Sequence, residues 1–212
     1  MPFELDVPEE FSEGGNFLQE PGTYHVNVLA SLEGQSFPTR NNPDGKPIDG
    51  FAVKLGVLAG TVEGQVDKLT TINFFNGNLQ HKDQGKFARQ KITFFAYAND
   101  LLDPNADQKG KRVSIDITKS NGRQFIIRLE KTKDGYLEIA FSDIWHVDDP
   151  RAKEFPKNEQ ALAMIPKELR HDAKYFDVLT TKKGGEQSQK QPAPQKDAET
   201  ASAGSGVSFS DL

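Results

Sequence analysis

The chain has 212 residues, a formal net charge of −5 and no cysteine. The lack of cysteine excludes disulfides, thiolate zinc sites and cysteine nucleophiles, and it suits a protein of the reducing cytoplasm. No apolar run approaches the roughly 20 residues of a membrane-spanning helix. The acidic N-terminus, Met-Pro-Phe-Glu-Leu-Asp, lacks the basic and apolar regions of a signal peptide. We therefore expect a cytoplasmic protein with no membrane association.

Charge is distributed unevenly along the chain. Residues 1–50 contain nine acidic and two basic residues, whereas residues 51–133 contain 14 basic and eight acidic ones. Residues 134–212 are again acidic overall. A basic middle segment in an acidic protein indicates one positively charged face, although ordinary surface statistics also produce such a pattern.

The first half of the chain shows the period-two alternation of β-strands. Residues 1–20 lack this pattern and predict an irregular N-terminal arm. Alternating apolar residues then predict strands over 24–30, 51–57 and 69–76. The long loop over 37–50 carries the turn sequence Asn-Asn-Pro-Asp-Gly.

The period changes to that of a helix in the middle of the chain. Apolar residues recur at helical spacing from Gln84 to Leu102, with charged and polar residues on the opposite side. Asp83 is a suitable N-cap, and Asp103-Pro104 follows the predicted end. The sequence therefore predicts one amphipathic helix here.

Strand alternation resumes after the helix, over 113–118, 123–130 and 136–147, with the turn dipeptide Asn121-Gly122 between the first two. Three strands, a helix and two or three further strands follow the element order of an OB-fold, a five-stranded barrel that binds oligonucleotides or oligosaccharides. The sequence predicts a mainly β, OB-fold-like domain over 21–150. A meander sandwich with one helix is the alternative.

Two further segments follow the predicted domain. Residues 151–183 predict a short helical extension, with helical pieces over 158–164 and 167–174. Residues 184–212 are rich in Gly, Ser, Gln, Ala and Pro, and they predict a disordered C-terminal tail, because such a composition cannot bury enough apolar surface to order the chain.

Motifs for catalysis and for metal or cofactor binding are not evident. The four histidines are widely separated and form no pair at metal-ligand spacing: His25, His81, His146 and His171. No phosphate-binding glycine loop and no nucleophile elbow is present. We therefore expect a protein that is not an enzyme and that has no cofactor and no metal ion.

Basic and aromatic residues are interleaved in the middle of the chain. Proteins that bind single-stranded nucleic acid combine a positive groove for phosphates with rings on which bases stack. The candidates for phosphate contact are Lys54, Lys82, Lys86, Arg89, Lys111, Arg112 and Arg123. The candidates for stacking are Tyr24, Phe51, Phe75 and Trp145. Any barrel core also needs aromatic residues, so burial is the competing interpretation of each ring.

Several stretches resemble bacteriophage single-stranded DNA-binding proteins of the OB-fold type. The resemblance rests on Gly50–Thr61, on Asn73-Phe74-Phe75-Asn76, on His81-Lys82-Asp83 and on the segment Phe87-Ala-Arg89-Gln-Lys-Ile of the predicted helix, and it extends over about residues 20–150. It implies sequence-independent protection of single-stranded DNA in replication or recombination, without catalysis and without a cofactor.

The resemblance also implies a flexible tail that recruits replication proteins. The C-terminus offers a small apolar hook for such a partner, made by Val207, Phe209, Asp211 and Leu212. The tail is less acidic than the family pattern, since residues 184–212 carry four acidic and two basic residues. A structural or adaptor protein of a virion or replication complex is the main alternative function, and an oligosaccharide-binding protein is a third.

Overall fold

Five antiparallel strands form the centre of the protein, in a computed structural model that describes residues 16–37, 48–75, 82–108 and 110–180. All of these residues belong to the unit Met1–Thr181. Within them, the side chains of 36, 37, 48, 82–84, 141 and 142 are not described. The predicted arm up to residue 15, the turn sequence of the first loop and the tail lie outside the described residues.

The strands are β1 (Gly22–Phe37), β2 (Ile48–Gly60), β3 (Leu69–Phe75), β4 (Gln124–Lys131) and β5 (Leu137–His146). Their order in the sheet is β3-β2-β1-β4-β5, and every neighbouring pair is antiparallel. The long β1 pairs with β2 over most of its length and with β4 through Gly22–Asn27. The β1–β4 pairing is the Greek-key step of an OB-like barrel, so the predicted fold class is confirmed.

One helix, α1 (Lys82–Ala98), packs against β5 and β3, the two outer strands of the sheet. It ends four residues before the predicted Leu102. The side chain of Asn99 donates a hydrogen bond to the Phe95 carbonyl at 2.8 Å, and Asp100 takes a positive φ of 53°. The backbone thus leaves the helical path at Asp100, which sets the position of that carboxylate.

The predicted strand over 113–118 is wrong. This part of the chain is irregular and leads into a 3-10 helix, Ile117–Ser120, whose N-cap is Asp116. The Asp116 carboxylate accepts the Thr118 backbone N–H at 3.1 Å, a capping contact that competes with an extended strand. Of the three alternating apolar residues, only Ile117 is buried.

Aromatic rings fill the interior between the sheet and α1. Phe51 stacks on Phe74 with ring centroids 4.7 Å apart, and Phe95 of α1 lies 4.8 Å from Phe74 and 5.8 Å from Phe125. Aliphatic side chains of the same sheet face surround these rings: Val26, Val28, Val53, Leu55, Val57, Ile72, Ile127, Leu129 and Ile144. One face of every strand therefore lies in the core.

The segment after β5 crosses the outer face of the sheet and consists of short pieces. It contains the 3-10 helices Pro150–Ala152, Lys167–Leu169 and Ala173–Phe176 and the helices α2 (Glu159–Ala163) and α3 (Asp177–Thr180). The helix predicted over 158–164 is confirmed as α2 with its caps Asn158 and Met164. The helix predicted over 167–174 is replaced by two 3-10 helices, with extended residues at Arg170 and Asp172.

The described end of the N-terminal arm is held against β3. Phe17 forms a parallel bridge with Leu69, and the Leu18 backbone N–H donates to the Leu69 carbonyl at 2.7 Å. Among the described helices, none has the length and apolar composition needed to cross a membrane.

Candidate nucleic-acid interface

Tyr24 and Phe51 are core residues, so the prediction that they stack on bases is corrected. Both rings are buried, and the Tyr24 hydroxyl donates a hydrogen bond to the Glu20 carbonyl at 2.7 Å. Burial, with the nearby Glu20 carboxylate, raises the pKa of Tyr24 to about 12. A Cβ atom at Gly60 would overlap the Tyr24 ring, which shows how closely β2 covers it. The sequence already indicated that Tyr24 is buried, because Tyr24 alternates in phase with the apolar Val26.

Trp145 lies on the outer face of the sheet but is covered. It stands opposite Ile126 of β4, its ring centroid lies 5.3 Å from that of Phe155, and only 9% of the residue is exposed. Ala152 completes this small apolar cluster. The ring is therefore part of the contact between the sheet and the C-terminal extension, which corrects its assignment as a stacking residue.

Trp145 is the only tryptophan, so its emission reports on this contact alone. We expect a blue-shifted emission that a single-stranded oligonucleotide leaves nearly unchanged. The substitution Phe155→Ala should shift the emission to longer wavelength, because it opens the indole to water. A fluorescence titration with oligothymidine checks both points, and saturating quenching by the oligonucleotide would contradict this position of Trp145.

Phe75 and Lys54 face outward from neighbouring strands. Phe75 is 37% exposed, in line with its alternation with the buried Phe74. Lys54 is exposed and pairs in register with Thr71 of β3, four residues from Phe75 on the same face. At about 3.4 Å per residue, the four residues from Thr71 to Phe75 place the backbones of Lys54 and Phe75 roughly 14 Å apart.

Other exposed side chains extend this surface. Leu29 and Leu32 of β1 are about half exposed, and Thr71 and Asn73 of β3 are exposed between Lys54 and Phe75. We call this surface the open face; its residues are Leu29, Leu32, Lys54, Thr71, Asn73 and Phe75. Sequence reasoning missed the two leucines because it considered only basic and aromatic side chains. Leu29 faces outward by simple alternation with the buried Val28, whereas the β-bulge between Val28 and Ala30 shifts the alternation and brings Leu32 to the same face.

The β4–β5 loop adds a ring and two cations. Tyr136 is 74% exposed, the largest fraction for any described aromatic residue, and Lys131 and Lys133 are exposed beside it. The turn is fixed by the Thr132 N–H, which donates to the Tyr136 carbonyl at 2.8 Å, and by Gly135 at a φ of +85°. In OB-folds this loop borders the ligand-binding face.

The other predicted cations lie on different elements. Lys86 and Arg89 are exposed on α1, and Arg112 is exposed in the irregular segment before Ile117–Ser120. Lys111, in the same segment, forms an exposed ion pair with Asp107 at 2.8 Å. The side chain of Lys82 lies outside the described residues.

Arg123 faces a cleft instead of the open face. Its Nη1 lies 3.7 Å from Asp100 Oδ2, and its Nε donates to the Lys119 carbonyl at 3.4 Å. The cleft has a volume of about 330 Å³ and lies between the sheet and the segment from Ala161 to Leu169. Arg123 is a partner of Asp100 and only a quarter exposed, so a phosphate would have to compete with that carboxylate.

Asp100 also contacts two histidines that are far away in the sequence. Its carboxylate lies 2.8 Å from His171 Nε2 and 3.6 Å from His146 Nε2. Burial acts to raise the pKa of Asp100, but the hydrogen bonds and charges of His146 and His171 hold it below its usual range. Sequence spacing gave no sign of this group, because His171 lies 71 residues beyond Asp100.

Comparison of the chain with known protein families and with curated proteins gives no match.

Proposed function

We propose that the protein binds single-stranded DNA without sequence specificity and that it does so through the open face. The main support is the contrast between the two parts of the outer sheet surface. The extension covers the outer face of β4 and β5 at Ile126 and Trp145, whereas exposed side chains of β1, β2 and β3 form the open face. The face of strands 2 and 3 is where OB-folds bind oligonucleotides.

The chemistry of the open face suits single strands. Phe75 supplies a ring for base stacking, and Tyr136 of the β4–β5 loop supplies a second one. Lys54 lies between apolar and hydroxyl or amide side chains, where it can reach a phosphate while Leu29 and Leu32 contact base or sugar. Such a surface contacts every base alike, because each base has a flat face.

Further cations extend the proposed electrostatic path. Lys131 and Lys133 lie at the β4–β5 loop, where Lys131 forms an ion pair with Glu20 at 3.5 Å. We assign these two lysines, like Lys86, Arg89 and Arg112, a weaker, longer-range contribution from their own elements. The protein would act in the cytoplasm as a binding protein without catalysis, protecting DNA during replication or recombination of a bacteriophage. Replication proteins would bind the tail hook at Val207, Phe209, Asp211 and Leu212.

The first test is binding of a labelled oligothymidine of about 30 nucleotides, which exceeds the roughly 4–16 nucleotides covered by one OB-fold. Fluorescence anisotropy should show saturable binding at low salt. The slope of log affinity against log salt should be steeper than about −1.4, the value for two phosphate contacts at about −0.7 each. Absence of binding at low salt, with and without the tail, would reject the function in favour of an adaptor protein. Salt-independent binding of an oligosaccharide instead would favour the third function.

Substitution of Phe75 by leucine tests whether its ring stacks on a base, because leucine keeps an apolar side chain but has no ring. We expect Phe75→Leu to weaken oligothymidine binding by about 5- to 150-fold, because a stacked base contributes about 1–3 kcal/mol. Lys54→Gln should weaken binding and reduce the salt slope by about 0.7.

Lys153→Gln is the matched control, since Lys153 is an exposed lysine of the extension. It should leave the affinity close to that of the unmodified protein. Equal binding by all three variants would place the DNA elsewhere on the protein.

A further inference from the structure

Three side chains that are good metal ligands meet where α1, β5 and the extension converge. Asp100 follows α1, His146 ends β5, and His171 precedes the 3-10 helix Ala173–Phe176. One carboxylate oxygen and one ring nitrogen of each histidine lie within 4.8 Å of one another. In a tetrahedral zinc site with bonds of about 2.0–2.2 Å, neighbouring ligand atoms are roughly 3.3–3.6 Å apart. Small side-chain movements would bring these three atoms to that spacing.

We propose that Asp100, His146 and His171 bind a divalent first-row transition-metal ion such as Zn²⁺. Two imidazoles and one carboxylate form a common donor set for such ions, whereas Mg²⁺ and Ca²⁺ prefer oxygen ligands alone. The set is mostly buried, since the side chains of Asp100, His146 and His171 are 13%, 4% and 18% exposed. Burial distinguishes these three residues from the exposed acidic groups that are common on protein surfaces.

Neighbouring residues hold the two rings in place, as metal sites require. The His171 ring stacks on Tyr175 with centroids 3.8 Å apart and an angle of 7° between the planes. Asp148 lies on the far side of His146, where its Oδ2 is 3.9 Å from Nδ1. Arg170 fixes this carboxylate through a contact of 2.7 Å, and the His171 backbone N–H donates to it at 3.0 Å.

Metal binding would require the other tautomer of the neutral His146 ring. The Asp148 backbone N–H donates to His146 Nδ1 at 3.1 Å, so the neutral ring carries its proton on Nε2, towards Asp100. An ion at Nε2 requires that proton at Nδ1, so the ring must rotate away from the Asp148 N–H and towards the Asp148 carboxylate, which lies 3.9 Å from Nδ1. Carboxylates commonly support metal-bound histidines in this way.

The cleft gives the ion a route of entry and a place for a fourth ligand. Asp100 and His146 are among the residues that line it. Arg123 already contacts the Asp100 carboxylate, with its Nη1 3.7 Å from Oδ2, so a bound ion would compete with Arg123 for this ligand. Once bound, the ion would join α1 and β5 to the extension and so stabilise the attachment of the extension to the barrel.

The test uses the full chain, stripped of metal with EDTA, and Zn²⁺ alone as the added ion. Isothermal titration should show one equivalent bound per chain, and thermal unfolding should move to higher temperature as Zn²⁺ is added. Asp100→Asn and His171→Gln should each lower the affinity at least about tenfold. His25→Asn is the matched control, because it removes a described histidine that is not in this cluster.

A direct spectroscopic readout covers the case in which both variants fail to fold. In the unmodified protein, Zn²⁺ should shift the ring resonances of His146 and His171 in the NMR spectrum and leave those of His25 in place. Absence of stoichiometric binding, equal binding by the cluster variants, or resonances of these two histidines that do not move would overturn the proposal.

Discussion

Replacing Phe95 with alanine should lower the free energy of unfolding by about 3–5 kcal/mol, the usual loss for a buried phenylalanine. The ring is fully buried and lies within 6 Å, between centroids, of three other rings: Phe51, Phe74 and Phe125. It belongs to α1, so it also joins the helix to the sheet between β3 and β5. The loss is a large part of the roughly 5–15 kcal/mol that stabilises an average domain.

Chemical denaturation followed by circular dichroism measures this loss. Phe87→Ala is the matched control, because Phe87 lies on the same helix but is 44% exposed. It should cost much less than Phe95→Ala, since large losses arise mainly from cavities in the core. Equal effects of the two substitutions would mean that α1 does not pack on the sheet through Phe95.

Local periodicity was sufficient to predict the sheet and its helix. Alternation identified all five strands of the barrel, and the helical spacing around Phe95 identified α1. It failed over 113–118, where the apolar alternation is that of a strand but no strand forms. There Asp116 caps a 3-10 helix through Thr118, and a local side-chain contact outweighs a short apolar pattern.

The site was harder to predict, because periodicity tells which residues share a face but not what covers that face. Phe75 was assigned correctly to the outer face, since its neighbour Phe74 alternates with Ile72 into the core. Trp145 also points outward, yet Phe155 covers it. The covering segment consists of short helices without a strong period of its own, so its docking position could not be derived from the sequence.

Long-range contacts of polar residues were beyond sequence reasoning for a similar reason. Asp100 is placed by the end of α1, and His171 by a segment that follows the last strand. Neither lies at a spacing that a metal-binding motif would show, and only the tertiary fold brings the two within hydrogen-bonding distance.

His25 should make the stability of the protein fall as the pH drops from about 6.5 to 4. The ring is fully buried beneath the extension, and its Nδ1 accepts the Asn158 backbone N–H at 3.1 Å. Burial, and to a smaller degree the charge of Lys157, lowers the pKa of His25 to about 4, although the nearby Gln124 side chain opposes the shift. The unfolded chain binds a proton near pH 6.5, whereas the folded protein does not until about pH 4.

The direction of the change in stability with pH follows from this difference in proton binding. Above pH 6.5 the histidine is neutral in both states and has no effect on the pH dependence, whereas between pH 6.5 and 4 the unfolded state alone gains the proton. Unfolding is thereby favoured by up to about 3 kcal/mol at pH 4, from a shift of about 2.5 units at 1.36 kcal/mol each. Denaturation curves at several pH values, followed by Trp145 emission, should show this loss.

His25→Asn provides the comparison that isolates the histidine from the carboxylates, which titrate in the same range. The Asn Oδ1 can take the place of Nδ1 as acceptor for the Asn158 N–H, but the side chain has no proton to gain. The variant should therefore show a shallower loss of stability between pH 6.5 and 4, with the difference from the unmodified protein growing as the pH falls. Parallel stability curves would mean that His25 is already open to protons in the folded protein. Asn158 would then not hold the extension on β1, and the boundary between the covered outer face and the open face would have to be drawn elsewhere.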